Sequence, residues 1–389
     1  MDYGQSSQKT FEKTVTKHPD KFGFYNVGNF KTYSKFEAIE LSQSTNLPIT
    51  WNFNDEVFSS IDWKKEPDMS LWEMYKERAR QIRSAYDYVV LWYSGGSDSH
   101  NMLCAWLEAG CKIDEVATTV NYEATGDKNN YMNTEIYNVV VPHVELLQQK
   151  QKFKFRVVDI SQITLDLFKV WNTNFEYNIN FHFSPNYPSR CLLREKVDEY
   201  KQIIDSGKKL CFVWGKEKPI IQYDYKQHFV FVDNIDNAVS PYVQRKYFEG
   251  WYDELFYWTP DYPMLPVKMA HTLKNYIQTA ENDEMFMSAQ PSSETNQTRN
   301  SFYSPKFDKY LDHDFIKLLL YPKWSSIIHD VGKPLSLTYS QRDFWFLTGK
   351  SAERNRFIDI TNNYFDKFQS RKESRKFVMP IYTKKYYLE

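Results

Sequence analysis

The chain has 389 residues, 42% of them apolar and 25% charged, with a formal net charge of −1; this composition is that of a globular protein of two or three packed units, with no charge footprint for nucleic acid over the whole chain. No apolar run approaches the about 20 residues that span a bilayer, and the polar amino terminus lacks the apolar segment of a signal peptide. Its four cysteines, Cys104, Cys111, Cys191 and Cys211, form no CxxC pair, which argues against a paired-cysteine zinc site and a disulfide framework and makes a reducing cytoplasm the expected setting.

Residues 1 to about 20 are polar and lysine-rich and read as a loose end. From Phe22 to Trp63 aromatics alternate with turn residues. The pattern predicts a short strand pair, a helix over Ser34 to Ser44, and a loop or edge element at Trp51 to Asp55. The stretch 1–69 reads as an aromatic flap packed on the main domain, with a substrate-binding lid as the alternative. A helix over Ser70 to Ser84 follows. Leu71, Met74, Tyr75, Ala79, Ile82 and Tyr86 repeat near helical spacing, and Arg78, Arg80 and Arg83 fill the other face.

That helix leads into Tyr88-Val89-Val90-Leu91-Trp92-Tyr93, apolar without alternation, as in a parallel strand covered on both faces. Ser94-Gly95-Gly96-Ser97-Asp98-Ser99 then turns into a helix over 97–109 that stops at Gly110. Two consecutive glycines let the backbone turn sharply and approach a ligand closely. The first N–H groups of the helix favour an anion, and Ser94, Ser97 and Ser99 add hydroxyl donors. Asp98 repels phosphate, so its presence makes sense beside a Mg²⁺ ion. The bland alternative is a Gly-Gly turn with serine and Asp98 caps.

The S-G-G-S-D-S run resembles the PP-loop signature, SGGxDS, of the ATP pyrophosphatase superfamily. It is not a Walker-type loop, for it has no GK[ST]. The resemblance implies an α/β fold: a Rossmann-like parallel sheet of about five strands with helices on both faces, of the PP-loop/HUP type. It also implies that Mg·ATP sits on Ser94, Gly95, Gly96, Ser97, Asp98 and Ser99, with Asp98 as metal ligand and catalytic residue. ATP is then split between its α- and β-phosphates, and AMP is placed on a substrate oxygen. The superfamily holds adenine at the end of the next strand, here near Thr119 and Tyr122. The similarity is specific over about residues 85–125 and is one of topology alone up to about 235. The aromatic flanks resemble bacteriophage proteins that carry the same loop.

Further along, Asp114 to Val120 reads as a strand, 123–130 as a polar loop, Asn133 to Lys150 as a long helix and Phe153 to Ile160 as a third strand. This order predicts a parallel sheet with right-handed crossovers. Ligands in such sheets lie beyond the carboxyl ends of the strands, where Ser94, Tyr122 and Asp159 fall. Asn172 to Tyr187, containing His182, ends in Pro188-Ser189-Arg190 and precedes a helix over Cys191 to Asp205. A strand over Lys209 to Trp214 runs into Gly215-Lys216-Glu217-Lys218-Pro219. Lys216 and Lys218 would hold a leaving pyrophosphate or stabilise charge on phosphorus; ordinary lysines on a solvated turn are the alternative. Relatives carry a Gly-His…Asp stretch here, which this chain lacks.

Phe229 to Asp233 reads as an edge strand, with Asp233 as a strand-end cap or second metal ligand. Beyond 239 come a dense aromatic run at 248–258 and a helix over Leu265 to Asn282. Lys268, His271 and Lys274 on that helix suit either packing or a substrate phosphate or carboxylate. Residues 288–304 read as a mobile loop, with helices over Phe307 to Tyr321 and Ala352 to Lys367. The basic carboxyl end, Arg371, Lys372, Arg375, Lys376, Lys384 and Lys385, is interleaved with Phe377, Tyr382, Tyr386 and Tyr387. It suits nucleic-acid contact or a solvated tail docked by its aromatics. The expected units are a flap at 1–69, an ATP-binding α/β domain at 70–238 and a mainly helical region at 239–389.

The expected activity is ATP-dependent adenylation of a substrate carbonyl or carboxylate oxygen, followed by attack of an amine, ammonia or sulfur nucleophile. The substrate is a small molecule or a nucleic-acid base, and the cofactor is Mg²⁺. With Met1-Asp2 in place of an amino-terminal cysteine, ammonia would come from solution or from a partner. Two alternatives stay open: a sulfonucleotide reductase-like enzyme, disfavoured because no cysteine follows Cys211, and a non-catalytic nucleotide sensor or nucleic-acid-binding protein.

Overall fold

The alternation of aromatics and turn residues after Phe22 builds a three-stranded antiparallel sheet: β1 (Phe24–Val27), β2 (Phe30–Thr32) and β3 (Ile49–Asn52), in the order β2-β1-β3. Helix α1 (Lys35–Thr45) separates β2 from β3, and a short α2 (Asp55–Ser59) follows. The structure is a computed structural model describing residues 19–32, 35–129, 133–162, 197–216, 218–223, 227–232, 250–279, 319–322 and 382–389. Tyr25, Trp51, Phe53, Phe58 and Trp63 of this unit are buried, while Phe30 is exposed. Phe58 packs 4.5 Å from Trp258, and Trp63 stacks on Trp258 at 5.7 Å and on Tyr386 at 4.9 Å. Phe58 and Trp63 thus pack on aromatics that lie far along the chain.

Ser70 caps α3 (Leu71–Ala85), its Oγ accepting the Glu73 N–H at 3.3 Å. The apolar stripe is buried as its spacing predicts. Arg78, expected on the solvent face, is instead only 1% exposed, because the Glu254 carboxylate reaches its Nη2 at 2.7 Å. The chain then runs through β4 (Tyr88–Trp92), α4 (Ser97–Glu108), β5 (Glu115–Val120), α5 (Tyr122–Thr125), α6 (Val141–Gln148), β6 (Lys154–Asp159), α7 (Asp198–Asp205) and β7 (Leu210–Trp214). After the hairpin β8 (Ile220–Tyr223) and β9 (His228–Phe231) come β10 (Trp251–Leu255), α8 (Met264–Ile277) and β11 (Tyr386–Tyr387).

Five of these strands form one parallel sheet in the order β10-β7-β4-β5-β6. Val89, Val90 and Leu91 in its centre are fully buried, each contributing roughly 1.5–3 kcal/mol. Helices cover both faces. On one, His100 of α4 and His143 of α6 meet Tyr93, and Arg78 of α3 meets Glu254. On the other, Tyr200 of α7 packs edge-on to Phe212 at 5.2 Å, beside Trp92 stacked on Trp214 at 5.0 Å. This is a Rossmann-like sheet. From β4 the chain winds outward through β5 and β6, crosses back, and winds the other way through β7 and β10. The direction reverses between β4 and β7, and ligands of such sheets bind in the crevice at that point.

Two expectations are corrected. The strand at Phe229 does not lie on an edge: β9 is central in a small antiparallel sheet, β11-β9-β8. The fifth parallel strand comes from 251–255, inside the stretch expected to be mainly helical. Its Asp253 and Glu254 are 5% and 0% exposed, and two buried carboxylates break the apolar pattern of a parallel strand. The helix expected at 133–150 forms over 134–148, with a π-helical turn, Ile136–Val140, leading into α6. Pro142 sits at the first turn of α6, and its missing N–H frees a carbonyl one turn earlier, where the ladder widens.

Tyr386 and Leu388 at the carboxyl end are 5% and 1% exposed, and Lys385 lies 4.2 Å over the Phe229 ring. This part of the basic tail is docked by its aromatics; residues 371–377 lie outside the described residues. So do Asn172 to Tyr187 with His182, Asp233, the loop 288–304 and the helix expected at 352–367. Lys268, His271 and Lys274 hold structure together: they bond Glu66 Oε1 at 2.6 Å, Trp63 O at 2.9 Å and Leu388 O at 2.9 Å. Among the described residues no helix is long and apolar enough to cross a membrane.

Candidate active site

β4 delivers its last residues to the crevice between β4 and β7. Tyr93 ends the strand with its N–H on Ala117 O at 2.9 Å. Its hydroxyl lies 3.2 Å from His100 Nδ1 and 2.8 Å from His143 Nδ1, tying the strand end to α4 and α6. The loop then folds on itself. Ser99 Oγ accepts the Ser94 N–H at 3.2 Å, donates to Gly96 O at 3.0 Å and lies 3.1 Å from Ser94 Oγ. Gly95 has φ +82°, and a Cβ there would stand 3.0 Å from Val140 Cγ2 of the π-helical turn. Only glycine suits that left-handed, crowded position.

Gly96 is the N-cap of α4 and brings no side chain to the first-turn amides. Those amides, on Ser97, Asp98 and Ser99, therefore present the positive end of a twelve-residue helix to the crevice. Ser94 is exposed, while Ser97 and Ser99 are buried.

The opposite wall comes from the end of β7. A Cβ on Gly215 would lie 2.9 Å from Ser99 Cα and 3.0 Å from Asp98 O, so the two backbones touch. Lys218, three residues on, places Nζ 2.6 Å from Asp98 Oδ1. Lys216 is half-buried, its N–H on Trp214 O at 2.9 Å. We expect Gly215→Ala to cost about 1–3 kcal/mol, as overpacking does, and to pull Lys218 away from Asp98. Urea denaturation and nucleotide titration check this, and unchanged stability with unchanged affinity would refute the close approach.

Asp98 is the most connected residue of the loop. Besides Lys218, Tyr321 donates its hydroxyl to Oδ1, and Tyr257 donates to the Asp98 carbonyl at 2.6 Å. Asn101 Nδ2 in turn donates to the Tyr257 hydroxyl at 3.2 Å. Tyr75 completes an aromatic floor, with Tyr257 5.6 Å from both Tyr75 and Tyr321. All three phenol pKa values are raised well above the ordinary value. Burial is the largest cause, and the negative charge of Asp98 adds to it. The floor stays protonated and donating.

Thr119 and Tyr122 lie at the carboxyl end of the neighbouring strand. Thr119 is half-buried and in register with Val158. Tyr122 is 38% exposed, its ring edge-on to Tyr137 at 6.2 Å, with Lys128 5.1 Å over Tyr137. Asp159 is not a ligand-facing acid here; it caps α5 by accepting the Glu123 N–H at 2.8 Å.

The structure therefore joins Ser94, Gly95, Gly96, Ser97, Asp98, Ser99 and Lys218 in one cluster. It leaves Thr119 and Tyr122 at the next strand's end and Lys216 just past the end of β7. Tyr75, Tyr257 and Tyr321 were missed, since a tyrosine 223 residues away in sequence carries no local signal of its partner.

A Mg²⁺ ion would find the Asp98 carboxylate at this loop, with Glu135 Oε1 close by, 3.7 Å from where a Cβ on Gly95 would stand. Among the described residues no group of three or more His, Cys, Asp or Glu side chains is placed to hold a metal. That donor set fits an ion that binds through one or two carboxylates plus phosphate oxygens and keeps part of its water. No protein-family model and no curated protein matches the chain.

Proposed function

We propose that the protein binds Mg·ATP on the Ser94–Ser99 loop and uses it to adenylate a substrate. The observation that carries this reading is the position of the S-G-G-S-D-S loop. It opens α4 at the crevice where the sheet reverses direction, with Asp98 facing Lys218 from the neighbouring strand.

The chain's own groups then have distinct tasks. The amides of Ser97, Asp98 and Ser99 and the Ser94 hydroxyl bind phosphate oxygens. Asp98 would hold a Mg²⁺ ion, which would supply neutralising charge to the phosphates. Lys218 and Lys216 receive the charge that builds up on the departing pyrophosphate. Thr119 and Tyr122 border the adenine end. A substrate carbonyl or carboxylate oxygen attacks the α-phosphorus, the bond to the bridging oxygen of the β-phosphate breaks, and pyrophosphate leaves. The adenylated oxygen is next displaced by an amine, ammonia or a sulfur nucleophile, releasing AMP. This chemistry needs positioning and charge neutralisation rather than a protein nucleophile, and substrates with an amide-like or carboxylate oxygen suit it, whether small molecules or nucleic-acid bases.

The test is incubation with α-labelled ATP, Mg²⁺ and fractionated metabolite, tRNA and DNA pools. AMP and pyrophosphate are expected in equal amounts, dependent on one pool. ATP binding without pyrophosphate release in any pool would overturn the enzymatic reading in favour of a nucleotide sensor.

A further inference from the structure

Two groups converge on one oxygen of Asp98. Lys218 approaches Oδ1 from the β7 side at 2.6 Å, and Tyr321 donates to the same atom from below. Tyr321 lies far along the chain, among the described residues 319–322, and its side chain is fully buried. Two further contacts seat the segment: the Tyr75 hydroxyl donates to Leu320 O at 2.9 Å, and the Tyr321 ring packs on Tyr257. Packing alone would be served by a phenyl ring. The hydroxyl adds one thing, a donor aimed at the carboxylate of the loop.

We propose that Tyr321 is a positioning residue for Asp98, so that the carboxyl-terminal region completes the nucleotide site. This rests on reading the loop as a Mg·ATP site. A carboxylate on the first turn of a helix is free to rotate about its last bond. A buried phenol that donates to one oxygen fixes that rotation, and covalent geometry then fixes the other oxygen. Lys218 cannot do this as well, because an ammonium on a flexible stem is a point charge without preferred direction. Tyr257 acts in parallel on the backbone, holding the Asp98 carbonyl and with it the first turn of α4.

The experiment compares the full-length protein with its Tyr321→Phe variant, which keeps the ring. Nucleotide binding is titrated with α,β-methylene-ATP at rising Mn²⁺ concentration and again without metal. Loss of a hydrogen bond to a charged group predicts that the Mn²⁺ concentration for half-maximal binding rises about tenfold or more, with metal-free affinity unchanged. An unaltered Mn²⁺ dependence, or an equal loss with and without metal, would overturn the proposal, since a merely structural residue affects both.

A second arm needs no nucleotide. Amide exchange is followed by mass spectrometry in peptides covering 97–101 and 319–322 for Asp98→Ala, which removes the acceptor, for Tyr321→Phe and for the double variant. Each single change is expected to raise exchange in both segments, and the double variant no further than the larger single one. Local, additive effects would sink the coupling. A wild-type protein that binds no Mg·ATP would defeat the ATP reading, while this arm still decides whether Tyr321 holds Asp98.

Discussion

Asp98→Asn is expected to abolish Mg²⁺-dependent pyrophosphate release, by at least about 10²–10³-fold, the loss typical when one preorganised charge-stabilising group is removed. The variant keeps shape and size. Its amide oxygen still accepts the Tyr321 hydroxyl, and its backbone carbonyl still accepts from Tyr257. The ion pair with Lys218 is lost, but both side chains are about a third exposed, at 39% and 31%. Such pairs contribute only about 0–1 kcal/mol, so the fold should survive, and a urea titration checks that it does. An amide is a poor ligand for a hard cation compared with a carboxylate. Binding of metal-free nucleotide through the α4 amides should therefore persist while the Mg²⁺ effect disappears. Retained pyrophosphate release in this variant would remove Asp98 from the site.

The loop was legible because its signal is local. Ser94 to Ser99 are consecutive, and the strand before and helix after follow from an unbroken apolar run and a helical stripe. The order of strands and helices gave the parallel sheet for the same reason. What was not legible depends on contacts distant in the chain. Arg78 looks like a surface arginine until Glu254 is brought beside it. Trp251–Leu255 does not read as a strand of the parallel sheet because two acidic residues interrupt it, and they are tolerated only where Trp214 Nε1 meets Asp253 at 2.8 Å and where Lys21 and Arg78 meet Glu254. Tyr321 and Tyr257 reached the site by the same route. Gly215 was noticed as a strand end, but its reason, contact with the backbone of Asp98 and Ser99, exists only in three dimensions.

Glu254→Gln is expected to destabilise the protein by about 3–5 kcal/mol, the range for breaking a buried ion pair from one side. Glu254 is fully buried and accepts from Lys21 at 2.7 Å, Arg78 at 2.7 Å and Tyr86 at 2.5 Å. Without its charge Arg78 is left buried with only neutral acceptors, Gln81 Oε1 at 2.7 Å and Leu255 O at 2.9 Å, and Lys21 keeps only Asp261. The same cluster sets the pH dependence. Burial opposes the charge on Glu254, but Lys21 and then Arg78 overcome it and hold the carboxyl at about 2. A folded pKa below the unfolded one, 4.5 here, means stability that is complete above about 4.5 and is lost as pH falls toward 2. Lys21 has the opposite sign. Burial pulls its pKa down, yet Glu254 and Asp261 raise it on balance, so its contribution is lost only as pH climbs past the ordinary lysine value. Wild-type unfolding midpoints in urea should therefore fall steeply between pH 5 and pH 2.5, and those of Glu254→Gln should start lower and fall less. Equal midpoints at pH 7, or parallel acid profiles, would refute this role. A stability defect at Glu254 should weaken nucleotide binding only as far as it unfolds the chain, whereas a change at Asp98 weakens it with the chain folded. Measuring affinity and urea midpoint together for both variants separates a residue that builds the sheet from one that works at its edge.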